Sequence, residues 1–82
     1  MKIKTAKCNN CNDVIYSRAR HDFIRCTCGS IAIDGGQTDY VRIIGNPDDF
    51  ESTTIELNVT IEELLDDYTS GRNELGKISL KN

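Results

Sequence analysis

Four cysteines stand as two close pairs, Cys8-x-x-Cys11 and Cys26-x-Cys28, inside the stretch "KCNNCNDVIYSRARHDFIRCTCGS". Thiolates are soft ligands, and two residues between them let the chain wrap one ion while backbone amides point at the sulfurs. Gly29, directly after the second pair, relieves crowding at such a turn. Cys8, Cys11, Cys26 and Cys28 are therefore expected to form a four-sulfur tetrahedral site. Zinc is the expected ion, with iron its competitor. The second pair is one residue shorter than the usual knuckle. Four protein ligands leave no open position for substrate or water, so the site is expected to be scaffold and not reagent.

Other thiol chemistries fit less well. A disulfide framework is the rival reading, but no export signal precedes the cysteines, and reduced thiols in a cytosolic setting are expected. Redox work at Cys8-x-x-Cys11 calls for a helix start in a βαβ setting, whereas the flanks "IKTAK" and "DVIYS" read as strands. The His-x-Glu and Pro-Cys-x-x-Cys pattern of zinc deaminases is absent.

Two charged clusters are the remaining candidates. Arg18, Arg20, His21 and Asp22 form the densest polar group in the chain. They could bind phosphate or an acidic partner, or tie a hairpin to the neighbouring sheet. A lone histidine lacks the base and orienter that catalysis requires, so no enzyme is expected. Further on, Glu62 precedes Asp66, and Glu63 precedes Asp67, by four residues each. Like charges so placed cost an isolated helix about 0.2–0.5 kcal/mol per pair. Asp66 and Asp67 also sit near the negative end of the helix dipole. An acidic surface for a basic partner, extended by Asp48, Asp49 and Glu51, is one reading, and a solvated face is the other.

The elements that must position these residues can be read from pattern and punctuation. Asp13 to Ser17 reads as a strand, followed by the polar link "RARHD" and by Phe23 and Ile24 leading into the second knuckle. Two knuckles joined by a short hairpin would give a zinc-ribbon-like architecture. Ile31 and Ile33, the turn Asp34-Gly35-Gly36, and Tyr40 to Ile44 predict a second β-hairpin. Gly45-Asn46-Pro47-Asp48 reads as the one linker. Thr53, Ile55, Leu57 and Val59 alternate with polar residues as a half-buried strand. Thr60 with Glu63 predicts a capping box, Val59 a staple onto Leu64, and Gly71 a left-handed exit. Ile61, Leu64, Leu65 and Tyr68 would form the buried helix face. Lys77 to Leu80 could add a short edge strand or stay mobile.

The expected fold is therefore a small α+β domain with zinc-ribbon-like β-hairpins, an antiparallel sheet and one C-terminal amphipathic helix. The 82 residues, 38% hydrophobic and without tryptophan, can bury only a thin core, so one domain needing a staple is expected over 1–82. Within it, residues 1–45 carry seven Lys or Arg against four acids, and residues 46–82 three against nine. A basic β part is thus joined to an acidic strand-helix part where the linker lies. No apolar run exceeds four residues, so no membrane span is expected and the cytosol is the expected compartment. A thin core and an open edge at the last strand suggest either a monomer or a homodimer.

"CNNC", "SRARHDF", "CTCG", "IDGG" and "DYVRIIGN", in that order, resemble a family of small proteins of unknown function, encoded mostly by bacteriophages and prophages of Gram-positive bacteria. The resemblance covers about residues 7–46 and leaves the acidic part uncovered. It implies a metal-knuckle protein from a phage accessory gene, acting in the host cytoplasm, and brings no established activity. Genes of that kind often act on host machinery, which adds an inhibitor of a defence system such as a CRISPR nuclease to the expectations. The expected function is a non-enzymatic, zinc-stabilised module that binds a host protein through Arg18, Arg20, His21, Glu62, Glu63, Asp66 and Asp67. The alternative is nucleic-acid binding through Lys4, Lys7, Arg18, Arg20, Arg25 and Arg42, against which the acidic pI near 5.0 counts.

Overall fold

A computed structural model describes residues 1–37 and 41–78. Its strands are β1 (Lys2–Cys8), β2 (Val14–Ile15), β3 (Ile24–Arg25), β4 (Ala32–Asp34), β5 (Arg42–Ile44), β6 (Phe50–Glu56) and β7 (Lys77–Ile78). One helix, α1 (Ile61–Thr69), lies between β6 and β7, and a 3₁₀ turn, Pro47–Asp49, precedes β6. The described chain is thus α+β and mostly strands. Every strand pairing is antiparallel. One sheet runs β6-β1-β2-β7 and the other β3-β4-β5.

β1 is the spine because it is covered on both faces. Alternation along a strand sends Ile3 and Thr5 to one side and Ala6 and Cys8 to the other, and all four are buried. Ile3 meets Tyr16 and Leu64, with Ile55, Leu57, Val59 and Leu75 around them. Ala6 and Cys8 meet Ile15, Cys26, Ile31 and Ile33. Ile15 and Tyr16, adjacent in sequence, therefore belong to opposite cores. Each fully buried apolar side chain contributes about 1.5–3 kcal/mol, so two small cores replace the single thin one that composition suggested.

The hairpin expected between the knuckles does not form. β2 pairs with β1 and β7, whereas β3 pairs with β4, so the two strands lie in different sheets. The first strand after Cys11 is also shorter than Asp13 to Ser17, because Asp13 and Ser17 turn to side-chain hydrogen bonds at either end. The β4–β5 pairing is present, with Ile33 opposite Ile43. Tyr40, the expected start of its second strand, lies outside the described residues, as does Leu80, the expected end of the last one.

The change of charge near residue 45 is not a physical gap. Residues Lys2–Cys8 of β1 pair with Phe50–Glu56 of β6 in one unbroken register. The segment read as a linker is a 3₁₀ turn with Pro47 at its start, and the Asn46 side chain accepts from the Asp48 amide at 3.0 Å. That turn docks on the first knuckle, where the Asn9 amide donates to the Asp49 carbonyl at 2.8 Å. No helix among the described residues is long and apolar enough to cross a membrane.

Candidate metal centre

Each cysteine pair is closed by the same backbone bond. The Cys8 amide donates to the Asp13 carbonyl at 2.8 Å, and the Cys26 amide to the Ile31 carbonyl at 3.1 Å, five residues on in both cases. The shorter spacing of the second pair is thus absorbed within a loop of the same span. In each loop the residue after the second cysteine is left-handed, Asn12 at φ 64° and Gly29 at φ 78°. Glycine adopts that conformation freely, and asparagine is among the few other residues that tolerate it.

These loops bring one Sγ from each of Cys8, Cys11, Cys26 and Cys28 within 4.8 Å of one another, a group that could hold a metal ion. The Cys28 Sγ lies 3.5 Å from that of Cys8 and 3.6 Å from that of Cys26. Four sulfurs at zinc-thiolate distance would stand about 3.8 Å apart, so the spacing fits a tetrahedral ion. The chain also supplies donors to the sulfurs. The Asn10 amide is 3.4 Å from Cys8 Sγ and the Ile31 amide 3.5 Å from Cys26 Sγ. Burial pushes the Cys8 thiol up to about 12, which opposes a free thiolate there. The Ser30 hydroxyl, 3.1 Å from its sulfur, and then the Ser30 amide draw the exposed Cys28 down to about 6.

Residues that sequence reasoning missed fasten the two loops together. Asp13 is fully buried, and its Oδ2 accepts the Thr27 amide at 2.8 Å and the Thr27 hydroxyl. It thereby ties the residue between Cys26 and Cys28 to the first knuckle. Asn10 donates to Ser30 Oγ at 3.1 Å and to Asp49 Oδ1 at 3.2 Å. The short polar residues packed around the cysteines were the only available signal.

The charged candidates divide. Arg18 is 6% exposed and Asp67 3% exposed, so neither side chain is displayed at the surface. Arg18 donates from Nε to Asp22 Oδ2 at 2.7 Å, from Nη2 to Asp22 Oδ1 at 2.9 Å, and from Nη1 to Asp67 Oδ2 at 2.7 Å and Asn73 Oδ1 at 3.0 Å. Its guanidinium also lies 5.4 Å from the Tyr68 ring centroid. The hydrogen bonds to Asp22 raise the Arg18 pKa further. Burial opposes ionisation of Asp67 most strongly. Arg18 and the Leu75 and Glu74 amides outweigh it, holding the carboxyl below its usual value.

Arg20 and His21 are exposed, and the His21 carbonyl accepts the Tyr68 hydroxyl at 3.4 Å. Glu62, Glu63 and Asp66 are exposed on α1, with Glu63 closing the capping box and Asp66 paired to Arg72. Glu62, Glu63, Asp66, Asp67 and Glu74 line a hollow together with Arg72, Val59 and Leu75.

No curated protein and no solved structure matches the chain. Residues 1–45 match the family described as Domain of unknown function (DUF7695), a span that takes in both knuckles, the Arg18 link and β1 to β5. The match ends before β6 and α1, although β6 completes the sheet begun by β1. Because that match covers more than half of its length, this chain belongs to the DUF7695 family.

Proposed function

We propose that the chain is a non-enzymatic binding module, stapled by one structural zinc ion between two cysteine knuckles, and that its partner is a protein. The observation that carries this reading is the gathering of four sulfurs within 4.8 Å. Four protein thiolates fill a tetrahedral ion, leaving it as a fastener between two chain turns. Zinc would be held by Cys8, Cys11, Cys26 and Cys28, with Asp13, Asn10 and Ser30 positioning them. A partner with a basic segment suits the hollow lined by Glu62, Glu63, Asp66 and Glu74, whose lining cation, Arg72, is paired with Asp66. Arg20 and His21 lie on the exposed link nearby in sequence to Arg18, and complete the surface set. If the resemblance to phage accessory proteins carries function with it, that partner is a host protein, a defence nuclease among them.

The test is native mass spectrometry with and without a chelator, followed by affinity capture from host lysate. One zinc per chain and recovery of a defined protein support the reading. Metal-free protein that keeps its fold, or an eluate of nucleic acid alone, counts against it. Replacing Cys8 or Cys26 with serine should unfold the amino-terminal half, read as lost chemical-shift dispersion. Three of the basic residues named for the nucleic-acid alternative are engaged within the chain. Arg18 is turned inward, Arg42 is paired with Asp34 at 2.7 Å, and Arg25 stacks 5.6 Å from the Phe23 ring centroid.

A further inference from the structure

The two sheets present four edge strands. β3, β5 and β7, as described, are two or three residues long, and short edges template foreign strands poorly. β6 differs: it has seven residues, pairs with β1 without interruption, and has no other strand neighbour among the described residues. Every second N–H and C=O of such a strand points away from the sheet. Several of the usual protections are missing, since "FESTTIE" contains no proline or lysine and no bulge breaks its register, and its charged residues are Glu51 and Glu56 at either end. Glu51, Ser52, Thr53, Thr54 and Glu56 are exposed, and Phe50 and Ile55 are only half-buried.

We propose that β6 is the interface strand of a homodimer. It pairs antiparallel with β6 of a second copy about a two-fold axis at Thr53, joining the two four-stranded sheets into one. This register pairs all seven residues: Phe50 with the partner's Glu56, Glu51 with the partner's Ile55, Ser52 with the partner's Thr54. No acid then faces an acid. A slip of one residue is barred because it sets backbone groups that point outward against groups that point toward β1. A slip of two leaves only five residues of each strand paired, and in one direction sets Glu56 against the partner's Asp48.

Charge also selects the occupant. Glu51 and Glu56 already stand opposite Lys7 and Lys2 across β1. Glu56 is also paired with the N-terminal amine at 2.6 Å, so each acid of the strand has a positive charge on its β1 side, which lowers both repulsion of a copy and attraction of a basic foreign strand. Thr53, Thr54 and Ile55 are β-branched and suit cross-strand packing, and Phe50 and Ile55 gain cover from the second copy. The inference does not depend on the protein partner proposed above.

Analytical ultracentrifugation of the metal-loaded protein tests it. The mass should rise from 9.2 kDa toward twice that value as concentration increases to about 1 mM, as a small interface requires. Ser52→Lys combined with Thr54→Lys sets like charges opposite each other across the axis and should weaken association about tenfold or more. Ser52→Lys combined with Thr54→Glu sets opposite charges there and should restore it. Melting of dilute samples verifies that both variants fold. Should either fail, hydrogen exchange of wild-type residues 50–56 should slow as concentration rises. A mass fixed at 9.2 kDa, a dimer indifferent to both charge sets, or β6 exchange that slows only when a different protein binds would each overturn the proposal.

Discussion

Asn12 and Gly29 follow the second cysteine of their pairs and share a left-handed backbone, so their side-chain tolerance differs from that of their neighbours. Asn12→Gly should leave stability nearly unchanged. Asn12→Val, a β-branched residue forced to positive φ, should cost about 1–2 kcal/mol, read from the denaturant midpoint. Asp13 acts on the site at one remove. It holds the Thr27 amide and hydroxyl, so it fixes where Cys26 and Cys28 point without touching an ion. Asp13→Ala should lower zinc affinity about 10–100-fold in a chelator competition, the usual loss when a group supporting metal ligands is removed. At this scale the cysteines were legible because their type and spacing mark them as one group, which the fold gathers within 4.8 Å. Asp13 was not, because an aspartate reads as a strand boundary until Thr27 is brought beside it.

Helix α1 shows how far an element can be read locally. Its start is written in sequence: the Thr60 hydroxyl accepts the Glu63 amide at 3.1 Å, and the Glu63 carboxylate accepts the Thr60 amide at 3.1 Å. Val59 and Leu64 belong to one apolar cluster, which is compatible with the expected staple. Thr60→Ala should cost about 1 kcal/mol, measured by thermal or chemical unfolding. The buried face was misjudged. Leu64 is buried, but Ile61 is 37% and Leu65 48% exposed, while Asp67 is inside. Apolar periodicity would turn Ile61 and Leu65 inward. The buried Arg18 instead draws Asp67 toward it, and the helix sits rotated from its most apolar face. The strand before it starts and ends about three residues earlier than its alternation suggested, because β6 follows the pairing offered by β1.

Across the whole molecule, Arg18 joins parts that are far apart in sequence. It stands in the family-matched region, yet two of its partners, Asp67 and Asn73, lie beyond it. Arg18 keeps its two-bond pair with Asp22 when Asp67 is changed, so Asp67→Asn removes charge-assisted hydrogen bonds and does not strand a charge. It should cost about 1.5–3 kcal/mol at neutral pH. The pH dependence has a definite sign. The Asp67 carboxyl is held below its ordinary 3.8 in the folded state, so its stabilisation is complete above that range and is lost as pH falls through the folded value. In urea unfolding, the gap between wild type and Asp67→Asn should be flat near neutrality and close progressively below pH 3.8. A gap that widens on acidification would show that Asp67 is not ionised in the fold.

The two cysteine pairs and the helix start were legible locally, because each depends on residues within a few positions of one another. The tertiary structure decided which acids are surface and which are structural, which strands share a sheet, and that the apparent linker is a docked turn. Those outcomes turn on encounters between distant segments, Arg18 with Asp67, Asp13 with Thr27 and β1 with β6. The free energy of burying a charge or closing a ladder depends on what arrives beside it, and local pattern carries no record of that arrival.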